Sequence, residues 1–291
     1  MGTTAHVLVV GDAHLVDDAF ARLDDLERRW SRFLPDSEIS RMNAHTGEHI
    51  IVSADTLLLV EYAINAWHRT DGLFDPTVLP MLRDAGYDRD FASVPEHAAT
   101  LTPRGGRAAP GCVGIECDAR LSAVTVPPGV ELDPGGIGKG LAADIVTTEL
   151  IESGARGALV NVGGDLRVHG EPPNGRTWDV AIDDPARNDV EILRIGLRDG
   201  AVATSSRVRR RWSTRVGEMH HLIDPRTGSP SISPYASVSA VAGEAWWAEI
   251  VAKVVLIGGT QARARGGWNA HIATVDEAGV VECDSALALV A

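Results

Sequence analysis

The chain is poor in several things at once. It has three cysteines, Cys112, Cys117 and Cys283, and their spacing matches neither a disulfide framework nor a zinc site. Reduced thiols are the expectation, which points to a cytoplasmic protein. No apolar run approaches the ~20 residues that a membrane span needs. Met1-Gly-Thr-Thr-Ala-His-Val7 has no basic start and no apolar core, so no export signal is expected. Basic residues are outnumbered, 27 Lys and Arg against 40 Asp and Glu, giving a formal net charge of -13. That balance argues against broad binding to nucleic acid or to anionic membranes, though it leaves room for a local basic pocket. Repeats and low-complexity tracts are absent.

What is present is a chain of 291 residues, 44% of them hydrophobic, enough to bury a substantial core as one large domain or two intimate ones. Its most distinctive stretch runs from Glu131 to Asp144. An apolar lead (Val124, Val126, Val130, Leu132) delivers Asp133 to a glycine cluster, Gly135, Gly136, Gly138 and Gly140, with Lys139 inside it. Leu141, Ile145, Val146 and Ile151 then return at helical spacing, with Gly154 as C-cap. The pattern reads strand, tight turn, helix start. Backbone without side chains lets a ligand approach, and free N–H groups with a lysine suit an anion. It fits neither a dinucleotide fingerprint nor a P-loop, since the glycine spacing differs and Gly140 follows Lys139. The plain structural alternative is a glycine turn that only lets a helix pack on a strand.

The rest of the chain alternates helix and strand signals. Val16, Ala19, Phe20, Leu23, Leu26, Trp30 and Phe33 make an amphipathic helix that Pro35 ends, and Ser37 can cap a short turn after it. Ser53 and Thr56 open a second helix through Trp67, with Gly72 past its end. Asp75-Pro76 then forces an extended or turn conformation, and capping of Val78–Leu82 is the expected job of Asp75. Residues 92–120 read as a surface excursion. Strands are expected near 7–10, 158–165, 178–182, 192–197, 201–204, 270–275 and 280–283. Arg207, Arg209, Arg210 and Arg211 read either as a charged edge strand or as a rim for phosphates or an acidic partner. His221 stands beside the turn Asp224-Pro-Arg-Thr-Gly228. A last helix over 244–257 carries Glu249 and Lys253 four apart among apolar residues, which implies partial burial of that pair.

Taken together the motifs resemble the FAD:protein FMN transferase family, also called ApbE. The likeness rests on Met1-Gly-Thr-Thr, Asp36-Ser-Glu-Ile-Ser-Arg-Met-Asn43, Gly72-Leu-Phe-Asp-Pro-Thr77 and Asp133 to Asp144. Asn161-Val-Gly-Gly-Asp165, Ala203-Thr-Ser205, His221-Leu-Ile-Asp-Pro-Arg-Thr-Gly228 and the helix before Gly258 complete it in the family's order. The resemblance implies one domain over 1–291 with an α+β fold, its helices packed on mixed, largely antiparallel sheets. It implies transfer of FMN from FAD to a Thr or Ser hydroxyl of an acceptor protein, as a phosphoester, with release of AMP. Phosphorus chemistry of this kind needs neutralised pyrophosphate oxygens and a proton acceptor.

By the same resemblance Asp133 and Lys139 contact FAD, as do Met1 and Phe33, while Leu73, Phe74 and Asp75 line the flavin-nucleotide site. His221 lies near the pyrophosphate, as proton acceptor or as an orienting group. A Mg²⁺ ion is implied, with the Gly136 carbonyl as one ligand. Relatives commonly add Asp and, four residues on, Thr; here those positions hold Glu249 and Lys253. Glu can still bind Mg²⁺, whereas a protonated lysine cannot, and its ammonium is a candidate for the cation's place. Members are often exported lipoproteins, which this chain does not resemble. Two other readings share the site: an FAD-binding protein without transfer, and an FAD pyrophosphatase giving FMN and AMP.

Overall fold

The computed structural model describes residues 3–94, 97–98, 106–187, 190–215 and 217–287. It has the expected α+β character. Among the described residues the helices are α1 (His14–Trp30), α2 (Glu38–Ala44), α3 (Ala54–Arg69), α4 (Leu79–Asp84), α5 (Gly138–Glu152) and α6 (Ala245–Arg265). No helix among the described residues is long and apolar enough to cross a membrane. Contacts divide the chain into two compact units. One holds 25–138 and 210–232; the other holds 3–24, 139–209 and 233–291.

The second unit is built on a seven-stranded sheet. Its order is Ala5–Val10, Gly157–Val162, Asp165–Gly170, Gly200–Ser206, Tyr235–Ala242, His271–Asp276 and Val281–Cys283. Every neighbouring pair is antiparallel. Alternation sorts the residues between two faces. On one face Leu166, Val168, Val202, Val241 and Ala273 pack with Trp178, Val180, Ile182 and Ile195 of the hairpin Trp178–Asp183/Glu191–Leu197. The opposite positions of the central strands are mostly small (Ala201, Ala203, Ala240), which suits the close packing of α6 on these two strands. All eight residues of Tyr235–Ala242 are buried, as expected of a strand covered on both faces.

The first unit is made of shorter pieces. Residues His49–Ile51, Ala123–Thr125 and Glu116–Asp118 form a small antiparallel sheet. Arg211–Thr214 pairs antiparallel with Gly217–His220 and parallel with His97–Ala98. Its core gathers Met81, Leu82, Ala85, Tyr87, Trp212, Met219 and Ile223, with Phe33 and Phe91 packed against it. Trp212 donates its ring N–H to the Ala85 carbonyl at 2.7 Å, so the indole is buried with its polar atom satisfied.

Several local expectations hold and others shift. Ser37 and Ser53 are N-caps, their hydroxyls accepting from the N–H groups of Ser40 and Thr56. The first helix stops at Trp30, so Phe33 lies in the turn before Pro35 rather than on the helix. Asp75 does not cap α4, whose N-cap is Val78 without a side-chain bond. The lead into the glycine cluster is strand only over Ala123–Thr125. The last helix runs beyond 257 to Arg265, broken at Gly259, which has φ 60° and ψ -145°. Within 92–120 the described part holds the 3₁₀ turn Phe91–Ser93 and the strands His97–Ala98 and Glu116–Asp118.

Candidate active site

In the first unit the candidate residues sit in turns. Thr70 closes α3 by donating its hydroxyl to Ala66 O at 2.8 Å, and the Thr70 hydroxyl oxygen accepts the Phe74 N–H at 3.0 Å. Phe74 is thereby buried in the core and Leu73 half-buried beside it. Asp75 folds back on the chain. Its Oδ1 accepts the Thr77 N–H at 2.8 Å and the Thr77 hydroxyl at 2.6 Å. The Thr77 oxygen in turn accepts the Gly111 N–H at 3.0 Å. Burial raises the Asp75 carboxyl above its ordinary range, against the pull of the Thr77 bonds.

Asp133 is tied directly to this loop. Its N–H donates to Pro76 O at 2.7 Å, and its Oδ1 accepts the Gly135 N–H at 2.9 Å, closing the 3₁₀ turn Pro134–Gly136. Gly136, the expected carbonyl ligand, is half-buried in that turn. Asn43 grips the residue before it, donating to Leu132 O at 2.9 Å and accepting from Leu132 N at 2.7 Å. Arg32 faces Asp133 with Nε 3.5 Å from Oδ1, both side chains 10% exposed or less. The guanidinium lies over the Phe33 ring at 4.2 Å and the Tyr87 ring at 4.7 Å, and donates to Tyr87 O at 3.0 Å. A planar cation is suited to this stacking between rings while it pairs at its edge. Phe33, the Asp75 loop and Asp133 are therefore one connected group.

His221 belongs to a separate turn of the same unit and is half-buried. Its neighbour His220 is the fixed one. The Leu222 N–H donates to His220 Nδ1 at 3.2 Å, so the ring proton sits on Nε2 and donates to Ser231 O at 3.1 Å. Asp224 accepts the Arg226 N–H and Nε at 2.9 Å each. Gly228 has φ 64°, and a Cβ there would meet Arg107 O at 2.2 Å, so only glycine fits. Met1 lies outside the described residues.

In the second unit the candidate residues sit on helices and strands. Lys139 is in the first turn of α5, and its ammonium ion-pairs with Asp165 on the strand Asp165–Gly170. Asp165 Oδ1 accepts the Thr204 N–H at 3.3 Å. Glu249, on α6 and 2% exposed, accepts the Gly140 N–H on Oε2 at 2.9 Å. Its Oε1 accepts no hydrogen bond; the ammoniums of Lys139 and Lys253 stand 3.4 and 3.6 Å from it. Burial acts to raise the Glu249 carboxyl, and the two ammoniums with the Gly140 N–H outweigh it, holding the group below its ordinary range.

The two helices are locked together at their starts. A Cβ at Gly140 would lie 2.4 Å from Ala245 O, so α5 and α6 touch backbone to backbone. Glu244, the N-cap of α6, makes no side-chain cap. Asp144 supplies it from α5, its two oxygens accepting the Ala245 and Trp246 N–H groups at 2.8 Å each. Burial pushes the Asp144 carboxyl up to about 7, against those bonds and Arg167.

This donor set does not fit Mg²⁺. A hard dication needs several oxygen ligands in near-octahedral array. Here the open oxygen of Glu249 faces two ammoniums, and the Asp165 carboxylate is already paired. Among the described residues no group of three or more His, Cys, Asp or Glu could hold a metal ion.

Arg32, Asn43, Asp144 and Asp165 escaped the sequence reading as site residues. Asn43, Asp144 and Asp165 each close a motif, which is a usable signal; Arg32 has none beyond standing next to Phe33. Three arginines of the basic stretch have acids beside them. Arg207 pairs with Glu277, Arg209 lies 4.0 Å from Asp183, and Arg211 3.8 Å from Glu218. Residues 207–210 form a bend, and Arg211 opens the middle strand of its three-stranded sheet, so the expected charged edge strand is not formed there.

Comparison with known proteins agrees with the motifs. The model of the ApbE family matches residues 1–269. The FAD:protein FMN transferase of Haemophilus influenzae is 30% identical over 257 residues, 83% of this chain and 74% of the relative. That of Vibrio cholerae is 29% identical over 256 residues, with the same coverage. Among solved structures, the ApbE protein of Thermotoga maritima superposes with a TM-score of 0.85 at 27% identity, covering 98% of this chain and 94% of that one. The flavin transferase ApbE of Vibrio cholerae gives 0.77 at 25% identity over 98% and 94%. This chain belongs to the ApbE family.

Proposed function

We propose that the protein is an FAD:protein FMN transferase, its two units acting as one domain. The observation that carries this is the family match over residues 1–269, with the described site residues buried or half-buried. The acceptor is a Thr or Ser hydroxyl. Its oxygen attacks the phosphorus on the FMN side of the pyrophosphate, the bond to the AMP phosphate breaks, and AMP leaves. The hydroxyl proton passes to the imidazole of His221, whose place next to the locked His220 fixes its backbone.

The other residues bind and orient. Leu73, Phe74 and Asp75 line the flavin-nucleotide site, with the Phe33 ring beside it. Asp133 accepts a hydrogen bond from FAD, its carboxylate aimed by the Gly135 N–H and Arg32. Lys139 brings positive charge to the pyrophosphate, where charge builds up as the bond breaks. Mg²⁺ takes no part, since the donor set does not suit it. Three unpaired thiols, one of them exposed, support a reducing, cytoplasmic setting.

Mass spectrometry of an acceptor domain bearing a flavinylation Thr, after incubation with the protein and FAD, tests this reading. A gain of one FMN less one water, lost on Thr→Val in the acceptor, is expected. FAD split to FMN and AMP without acceptor gain would favour the pyrophosphatase reading; bound but intact FAD would favour binding alone.

A further inference from the structure

We infer that Lys253 is a built-in counter-cation: its ammonium holds the place beside Glu249 that a divalent ion would need, so that the pyrophosphate is handled without metal. The inference rests on the transferase reading and deepens it by naming what neutralises the substrate.

Three features of the second unit carry it. The first is the open oxygen. Glu249 is 2% exposed, yet its Oε1 accepts no hydrogen bond, and Lys253 Nζ stands 3.6 Å away from it. A buried carboxylate oxygen without a bond is costly unless a charge offsets it. The second is charge. Asp165 and Glu249 bring two negative charges, Lys139 and Lys253 two positive ones, and all four side chains are at most 18% exposed. The charges of these four side chains sum to zero. A dication would leave the cluster doubly positive in a poorly solvated place, and one ammonium would have to leave. The third is rigidity. Lys253 is one turn beyond Glu249 on α6, and that helix is fixed to α5 by the Gly140 contact and the Asp144 cap. The ammonium is thus held near its position by the packing of its helix.

The chemistry keeps its balance. The hydroxyl oxygen bonds to phosphorus, the bond to AMP breaks, and the proton leaves on His221. Lys253 and Lys139 supply charge and N–H donors to the pyrophosphate oxygens, and neither is consumed.

The test uses Mn²⁺ as the metal probe, read by electron paramagnetic resonance, and FAD binding read by fluorescence in chelator. Wild-type protein should bind no Mn²⁺, should bind FAD equally with and without chelator, and should transfer FMN in chelator. Lys253→Thr should gain a Mn²⁺ site that Glu249→Gln removes, and its FAD affinity in chelator should fall about tenfold or more. Mn²⁺ bound by the wild type and lost in Glu249→Gln would overturn the inference. So would FAD binding or transfer by the wild type only with Mg²⁺, which would leave the proposed function standing. Absence of Mn²⁺ from wild type and Lys253→Thr alike would overturn the assignment to Lys253. A protein that ignores FAD, yet takes up Mn²⁺ only after Lys253→Thr, would sink the transfer reading while supporting the exclusion of metal by Lys253. Circular dichroism checks that each variant folds, and Lys253→Met, which fills the same space without charge, replaces any that does not.

Discussion

The two units hold their candidate residues by different means. In the first unit the residues stand in turns, and each turn has short bonds of its own, reaching two to four positions (Asp75 to Thr77, Thr70 to Phe74, Asp133 to Gly135, Asp224 to Arg226), beside longer ties such as Asn43 to Leu132. In the second unit they stand on regular elements and are set by contacts across roughly a hundred positions: Gly140 to Glu249, Asp144 to Ala245. A turn fixes its own side chain. A helix fixes one only after it is packed. Variants in the second unit should therefore disturb the whole unit, and variants in the first should stay local.

The largest effect is expected at Glu249. Glu249→Ala takes the carboxylate from beside Lys253 and leaves Lys139 with Asp165, and loss of about 3–5 kcal/mol in denaturant unfolding is expected. Gly140→Ala drives a methyl into the Ala245 carbonyl, and about 2–3 kcal/mol should be lost as the helices part. Asp144 makes stability depend on pH. Its carboxyl is near 7 when folded and 3.8 ordinarily, so the folded state holds the extra proton between those values. Its contribution to stability should fall as pH rises from about 4 to about 7 and level off above, and Asp144→Asn should flatten that slope in thermal melts. The smallest effect belongs to the first unit. Thr77→Val removes one hydroxyl between Gly111 and Asp75, and about 1–2 kcal/mol should go, with the second unit's melt unchanged. Equal losses for Thr77→Val and Gly140→Ala would erase the contrast.

The same contrast decides what was legible in the sequence. Helices α1, α3 and most of α6 follow from apolar spacing, and the Ser37 and Ser53 caps from their place before it. Asp75 was legible as a turn residue but not in its bonding, because Asp before Pro serves an Asx turn as well as a cap. Phe33 keeps helical phase with Trp30, yet the chain has already turned toward Pro35. The cap on α6 was out of reach, since capping rules look three residues along the chain and Asp144 is a hundred residues away. Arg32 looked like a polar helix end. Its role appears only once Phe33, Tyr87 and Asp133 surround it.

The strand Tyr235–Ala242 carries one more consequence. It is buried along its whole length, bonded on both sides, and leads within two residues into α6. Amides so placed trade their hydrogens with solvent only when the whole unit opens. Glu249 and Lys253 are thus anchored in the slowest-exchanging part of the second unit. Their charges stay registered through the brief local openings that loosen surface turns, and the cluster is dismantled only by global unfolding.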